Sequence, residues 1–143
     1  MKNLKSFFFV LSLVFLGLNG LNAQRLTIKG EFVNSDDYAL NAHYVIKAGD
    51  KHVACGDADK IKLKLELNKS YSLTVSKPGY KSKTVHFSTY TNYEKKFCFS
   101  FLVLMIEEPK LDPKQNETSD FVAGDVFFDS NVSDFNYTVY SAF

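Results

Sequence analysis

Beyond its first two dozen residues, the chain places apolar side chains at every second position, and this constrains its fold more than any other feature. Leu26, Ile28 and Phe32 alternate with Thr27, Lys29 and Glu31. Leu40, Ala42, Tyr44 and Ile46 alternate with Asn41, His43 and Lys47. The clearest run sets Ile61, Leu63, Leu65 and Leu67 against Lys60, Lys62, Lys64 and Glu66. Tyr71, Leu73 and Val75, and later Val85 and Phe87, repeat the pattern among serines and threonines. Successive strand side chains point to opposite faces, so each run has one dry and one wet face. Sheets wet on one side are mostly antiparallel, and two of them hide their apolar faces by stacking. The expectation is an all-β, antiparallel two-sheet sandwich of transthyretin-like or immunoglobulin-like character. It should have about seven strands plus a C-terminal β tail.

The connections carry matching turn chemistry. Asn34-Ser35-Asp36-Asp37, Ala48-Gly49-Asp50, Gly56-Asp57-Ala58-Asp59, Asn68-Lys69 and Lys77-Pro78-Gly79 separate the runs. Asn and Asp bond their own backbone, Pro presets φ and Gly accepts positive φ. The domain is read as residues 24–106, with a polar loop over 107–120 that contains Pro109 and Pro113. Residues 121–143 then return to strand character and are expected to pack on the sandwich.

Phe97 to Ile106 stands apart. Phe97, Phe99, Phe101, Val103 and Met105 fill one parity, and Leu102, Leu104 and Ile106 fill the other at the far end. A strand apolar on both faces is central, or its outer face is covered. The C-terminal tail is the expected cover.

The first 23 residues read as a secretory signal peptide. Lys2 and Lys5 precede a nearly unbroken apolar run from Phe7 to Leu18, and Ala23 stands just before Gln24, the expected cleavage point. Twelve helical residues reach about 18 Å, short of the roughly 30 Å hydrocarbon core. A secreted or periplasmic protein with no stable membrane insertion is therefore expected. Without that segment the chain has 15 basic and 16 acidic side chains. Export and a near-neutral charge argue against a nucleic-acid partner. The charges are split, however: residues 24–96 hold 13 basic and 8 acidic groups, and residues 97–143 hold 2 and 8. The two ends can pair across the fold, or a basic face can meet an acidic envelope polymer.

Chemistry-bearing clusters are sparse, and no catalytic residue, cofactor or metal site is assigned. His43, His52 and His86 fall on wet positions and would make a three-histidine zinc site only if their strands were neighbours. Asp50, Asp57 and Asp59 lack the spacing of a calcium loop. Serines occur without a strand-to-helix nucleophile elbow. In an exported chain Cys55 and Cys98 are allowed a disulfide, but Cys55 shares parity with Val53, the expected inner side, whereas Cys98 shares it with Ser100. Two separate thiols are expected. Lys60, Lys62, Lys64, Lys77, Lys81 and Lys83 read as a lysine-rich wet surface that blocks edge pairing or binds a polyanion.

Tyr71-Ser72-Leu73-Thr74-Val75 followed by Lys77-Pro78-Gly79-Tyr80 and Val85 resembles the carboxypeptidase regulatory-like family of transthyretin-like domains, as found in small secreted Bacteroidetes-type proteins. In that family a similar run forms the hairpin after a "Y-x-L-x-V" strand. At Asp57-Ala58-Asp59-Lys60 the chain departs from the family's Asp-x-x-Gly turn. The resemblance implies a seven-stranded sandwich and a non-catalytic accessory, adhesion or envelope-assembly role. The leading expectation is a module that binds a protein or envelope partner. A glycan-binding module, with Tyr90, Tyr93 and Tyr140 as candidate platforms, is the alternative, and a small hydrolase the third.

Overall fold

The computed structural model describes residues 24–108 and 121–140, so the expected signal peptide, its cleavage point and most of the polar loop lie outside the described residues. Among the described residues nine strands follow one another: β1 (Arg25–Val33), β2 (Ala42–Ala48), β3 (Lys51–Ala58), β4 (Lys60–Glu66), β5 (Ser70–Ser76), β6 (Lys83–Ser88), β7 (Phe97–Leu104), β8 (Phe121–Asp129) and β9 (Asp134–Val139). They form two sheets, one of three strands in the order β4-β1-β7 and one of six in the order β3-β2-β5-β6-β8-β9. The chain is an all-β two-sheet sandwich, as the alternation dictates. Leu26, Ile28, Phe32, Ile61 and Leu65 from the small sheet meet Ile46, Tyr71, Leu73, Val75 and Phe87 from the large one in a single buried core. Each such side chain, fully buried, stabilises the fold by about 1.5–3 kcal/mol.

The alternation does not report how the chain moves between sheets. Asp59 alone carries it from β3, at the edge of the large sheet, to β4, at the edge of the small one. The Asp59 carbonyl accepts the Phe32 amide at 2.9 Å there. Repeated crossing makes both sheets mixed, because β1 pairs with β7 and β6 with β8 in parallel. Parallel neighbours need a long crossover, and here the opposite sheet supplies it instead of a helix. The tail is integral: β8 and β9 complete the large sheet beyond β6.

Three local expectations are corrected. Among the described residues β7 is an edge strand, not a central one, and its second face is not covered: Leu102 is 57% and Leu104 41% exposed. β8 pairs with β6, and β9 with β8, in the other sheet, so among the described residues neither covers the outer side of β7. The inner parity of β3 is Ala54, Gly56 and Ala58, whereas Val53 and Cys55 face outward. An edge strand can present small residues to the core, and Val53 is the misleading signal. Lys83 is not part of a wet lysine surface: it shares the inner parity of Val85 and Phe87 and is only 8% exposed.

Candidate functional site

β7 does not run squarely beneath the large sheet. At its start, the Phe97 ring packs edge-on against Phe128 of β8 and Phe135 of β9, with centroids at 5.6 and 5.1 Å. Two residues on, Phe99 meets Tyr137 of β9 at 6.1 Å. At Phe101 the contact has passed to Phe87 of β6, at 5.4 Å. Because the strand veers toward β6, no other described strand lies beneath the far halves of β8 and β9. Tyr137 and Val139 point inward by parity, in register with Val126 and Gly124, yet are 60% and 67% exposed. Inward residues of β5, by contrast, are buried throughout.

The result is a groove of about 700 Å³ between β7 and the β6–β8–β9 wall. Phe99 and Phe101 line one side, Val126, Tyr137 and Val139 the other, and Leu104 and Ile106 stand at its mouth. Its size and apolar lining suit a ligand site. Two glycines shape it. A Cβ on Gly124 would lie 2.4 Å from the Thr138 carbonyl oxygen, so only glycine lets β8 and β9 approach this closely here. A Cβ on Gly30 of β1 would lie 2.6 Å from the Phe101 ring, so glycine gives that ring its seat.

Polar groups in the wall are few. Burial pushes the Lys83 ammonium below its usual range, and the neighbouring Lys81 charge adds to this. Tyr140 donates its hydroxyl to the Asp125 carboxylate at 2.5 Å. That bond, aided by burial, holds the phenol proton above its ordinary pKa.

The candidates from sequence are dispersed. His43 bonds Asp57 through Nδ1 at 2.9 Å on the outer face of the large sheet. His86 lies on β6 and His52 in the β2–β3 hairpin. The Asp59 backbone serves the sheet crossing, and Asp50 sits in the β2–β3 turn. Among the described residues no three metal-ligating side chains come together. The register aligns Ser72, His86 and Asp125 across β5, β6 and β8, but the Asp125 carboxylate is engaged by Tyr140. Cys55 and Cys98 are free thiols, exposed on the outward faces of opposite sheets. Lys77-Pro78-Gly79-Tyr80 lies in the β5–β6 connection: Gly79 has φ 83°, and Tyr80 donates its amide to the Lys77 carbonyl at 3.0 Å.

Lysines do not share one face. Lys60, Lys62 and Lys64 lie on β4, while Lys77 reaches the Asn41 carbonyl at 2.7 Å. Nor do the tyrosines form one platform. Tyr93 packs on Phe128 and accepts a hydrogen bond from Ser133, Tyr90 is exposed in the β6–β7 connection, and Tyr140 stands at the groove. Sequence reasoning missed the groove, although its signal was present in the two-sided apolar pattern of β7.

No family model matches the chain, and no curated protein matches it. Among solved structures it is similar to the crystal structure of S.CueP, at 11% identity and a TM-score of 0.40, over 62% of this chain and 65% of that one.

Proposed function

We propose that this chain is a secreted or periplasmic, non-catalytic β-sandwich module that holds a protein or cell-envelope partner in the groove between β7 and the β8–β9 wall. The groove itself carries the reading: about 700 Å³ of apolar-lined space opens beside exposed Leu102, Leu104 and Val139. Contiguous exposed apolar surface of this kind marks interaction sites. The leader-like first 23 residues support export, and the resemblance around Lys77-Pro78-Gly79-Tyr80 supports an accessory role without catalysis.

The test is capture from envelope extracts by the immobilised full chain, alongside a Val139→Arg variant. Val139 is 67% exposed, so the arginine fills the groove without entering the core. The expected result is a saturable partner that the wild type retains and the variant releases. Absence of a saturable partner, or capture indifferent to the arginine, overturns the reading.

A further inference from the structure

β7 lies at an edge but has the sequence of a central strand. From Phe97 to Ile106 there is no charge and no proline, and its ladder with β1 runs without a bulge. Natural edge strands are blunted by lysines, prolines, bulges or short length, because a bare edge recruits other strands. The opposite edge of the same sheet obeys that rule, with Lys60, Lys62 and Lys64 along β4. β7 has eight residues and none of these devices. Facing it across the groove, the large sheet overhangs, and the inward-pointing Tyr137 and Val139 stand uncovered.

One object satisfies all of these features. A strand laid beside β7 would pair with the open side of its backbone. One parity would fill the space against Phe99, Val126, Tyr137 and Val139, and the other would cover Leu102 and Leu104. Resting on the reading of the groove as the binding surface, we infer that β7 accepts a β-strand donated by a partner protein, which makes the three-stranded sheet four-stranded. Backbone pairing supplies the affinity in this mode, and pockets for alternate side chains supply the specificity.

The surroundings fix the chemistry of the donor. Its central residues must be apolar on both parities. An acidic flank or neighbouring surface suits it, because on the outer face of the same sheet Lys29 and Lys62 face one another directly across β1 and β4, with Lys64 one row away. Like charges directly opposite are destabilising. The ion pairs on this sheet among the described residues, Lys60 with Glu31 and Lys69 with Glu66, leave those three lysines out. A second copy of the chain fits poorly: joining β7 to β7 would place both lysine sets on one face and bring no carboxylates to them.

The probes are nine-residue peptides with a central Val-Ile-Val-Val-Ile stretch, flanked by Asp-Glu pairs or by Lys pairs, read by fluorescence anisotropy against the full chain. The acid-flanked peptide is expected to bind at least tenfold more tightly. N-methylation of every second residue should cost at least tenfold in one phase and little in the other, since only one edge of an added strand meets β7. The Leu102→Lys, Leu104→Lys double variant changes exposed side chains only and should abolish binding. Failure of both peptides to bind, equal sensitivity to methylation in both phases, or indifference to the double lysine overturns strand addition. So does a dimer in sedimentation that the double variant dissolves. An envelope partner lost with Val139→Arg but kept by the double lysine overturns strand addition while leaving the groove reading intact. Loss of every partner signal overturns both.

Discussion

The ring of Tyr137 stands edge-on to the ring of Phe99, centroids 6.1 Å apart, and this pair joins the two sheets where the groove begins. Their energies should be unequal although they share one contact. Phe99 is 8% exposed, and Phe99→Ala should cost about 3–5 kcal/mol, as buried phenylalanines do. Tyr137→Ala removes little buried area. The pair itself is worth about 0.5–1.5 kcal/mol beyond area burial. A double-mutant cycle by denaturant unfolding should return that coupling, and additivity of the two single variants would refute the contact.

Gly30 should tolerate no side chain while Phe101 is present. The Cβ of Gly30→Ala would meet the Phe101 ring at 2.6 Å, with the Ile61 side chain at 3.0 Å. Overpacking of this kind costs roughly 1–3 kcal/mol. Phe101→Leu introduced with Gly30→Ala should recover most of that loss. Chemical denaturation of the single and double variants reads the effect, and a double variant no more stable than Gly30→Ala would show that the clash lies elsewhere.

How much of this was legible in the sequence depends on the kind of information sought. Ile61 and Leu65 inside with Lys62 and Lys64 outside follow from parity alone, because a single strand carries that signal within itself. Pairing partners do not. Nothing local to Phe97–Ile106 tells which sheet β8 will join, so the pattern predicts a covered second face where the described residues leave it open. Lys83 and Cys55 are misread for another reason: the charge of Lys83 outweighed the parity it shares with Val85 and Phe87, and the bulk of Val53 outweighed the small residues Ala54, Gly56 and Ala58 that face the core. The groove is a relation between β7, β8 and β9, three segments that a reading of separate runs treats one at a time.

Thr89 should be among the least replaceable polar residues. It is fully buried at the corner between the sheets. Its hydroxyl lies 2.8 Å from the carbonyls of both Glu66 and Lys69, and accepts the Lys69 amide at 3.0 Å. Its own amide donates to the Lys69 carbonyl at 2.9 Å. Thr89→Val keeps the shape and deletes the hydroxyl, so buried backbone groups lose their partner at a cost of about 1–3 kcal/mol. Thr89→Ser keeps the hydroxyl and should lose less. Equal destabilisation of the two variants would assign the residue's value to its methyl group instead.

Lys83 should make stability depend on alkaline pH in a defined direction. Its ordinary pKa is 10.5, and burial, with the Lys81 charge nearby, lowers it in the folded protein. Below the folded value the ammonium is charged in both states and its burial cost is felt in full. Between the folded value and 10.5 the unfolded chain binds more protons than the folded one, so stability rises with pH there. Above 10.5 the group is neutral in both states and that cost is gone. Lys83→Met removes the titration while keeping an unbranched apolar stem. Measured by urea unfolding across this range, the wild type should gain on the variant as pH climbs toward 10.5. A difference that stays flat, or that shifts in favour of the variant, would mean that the Lys83 ammonium is not desolvated in the wall of the groove.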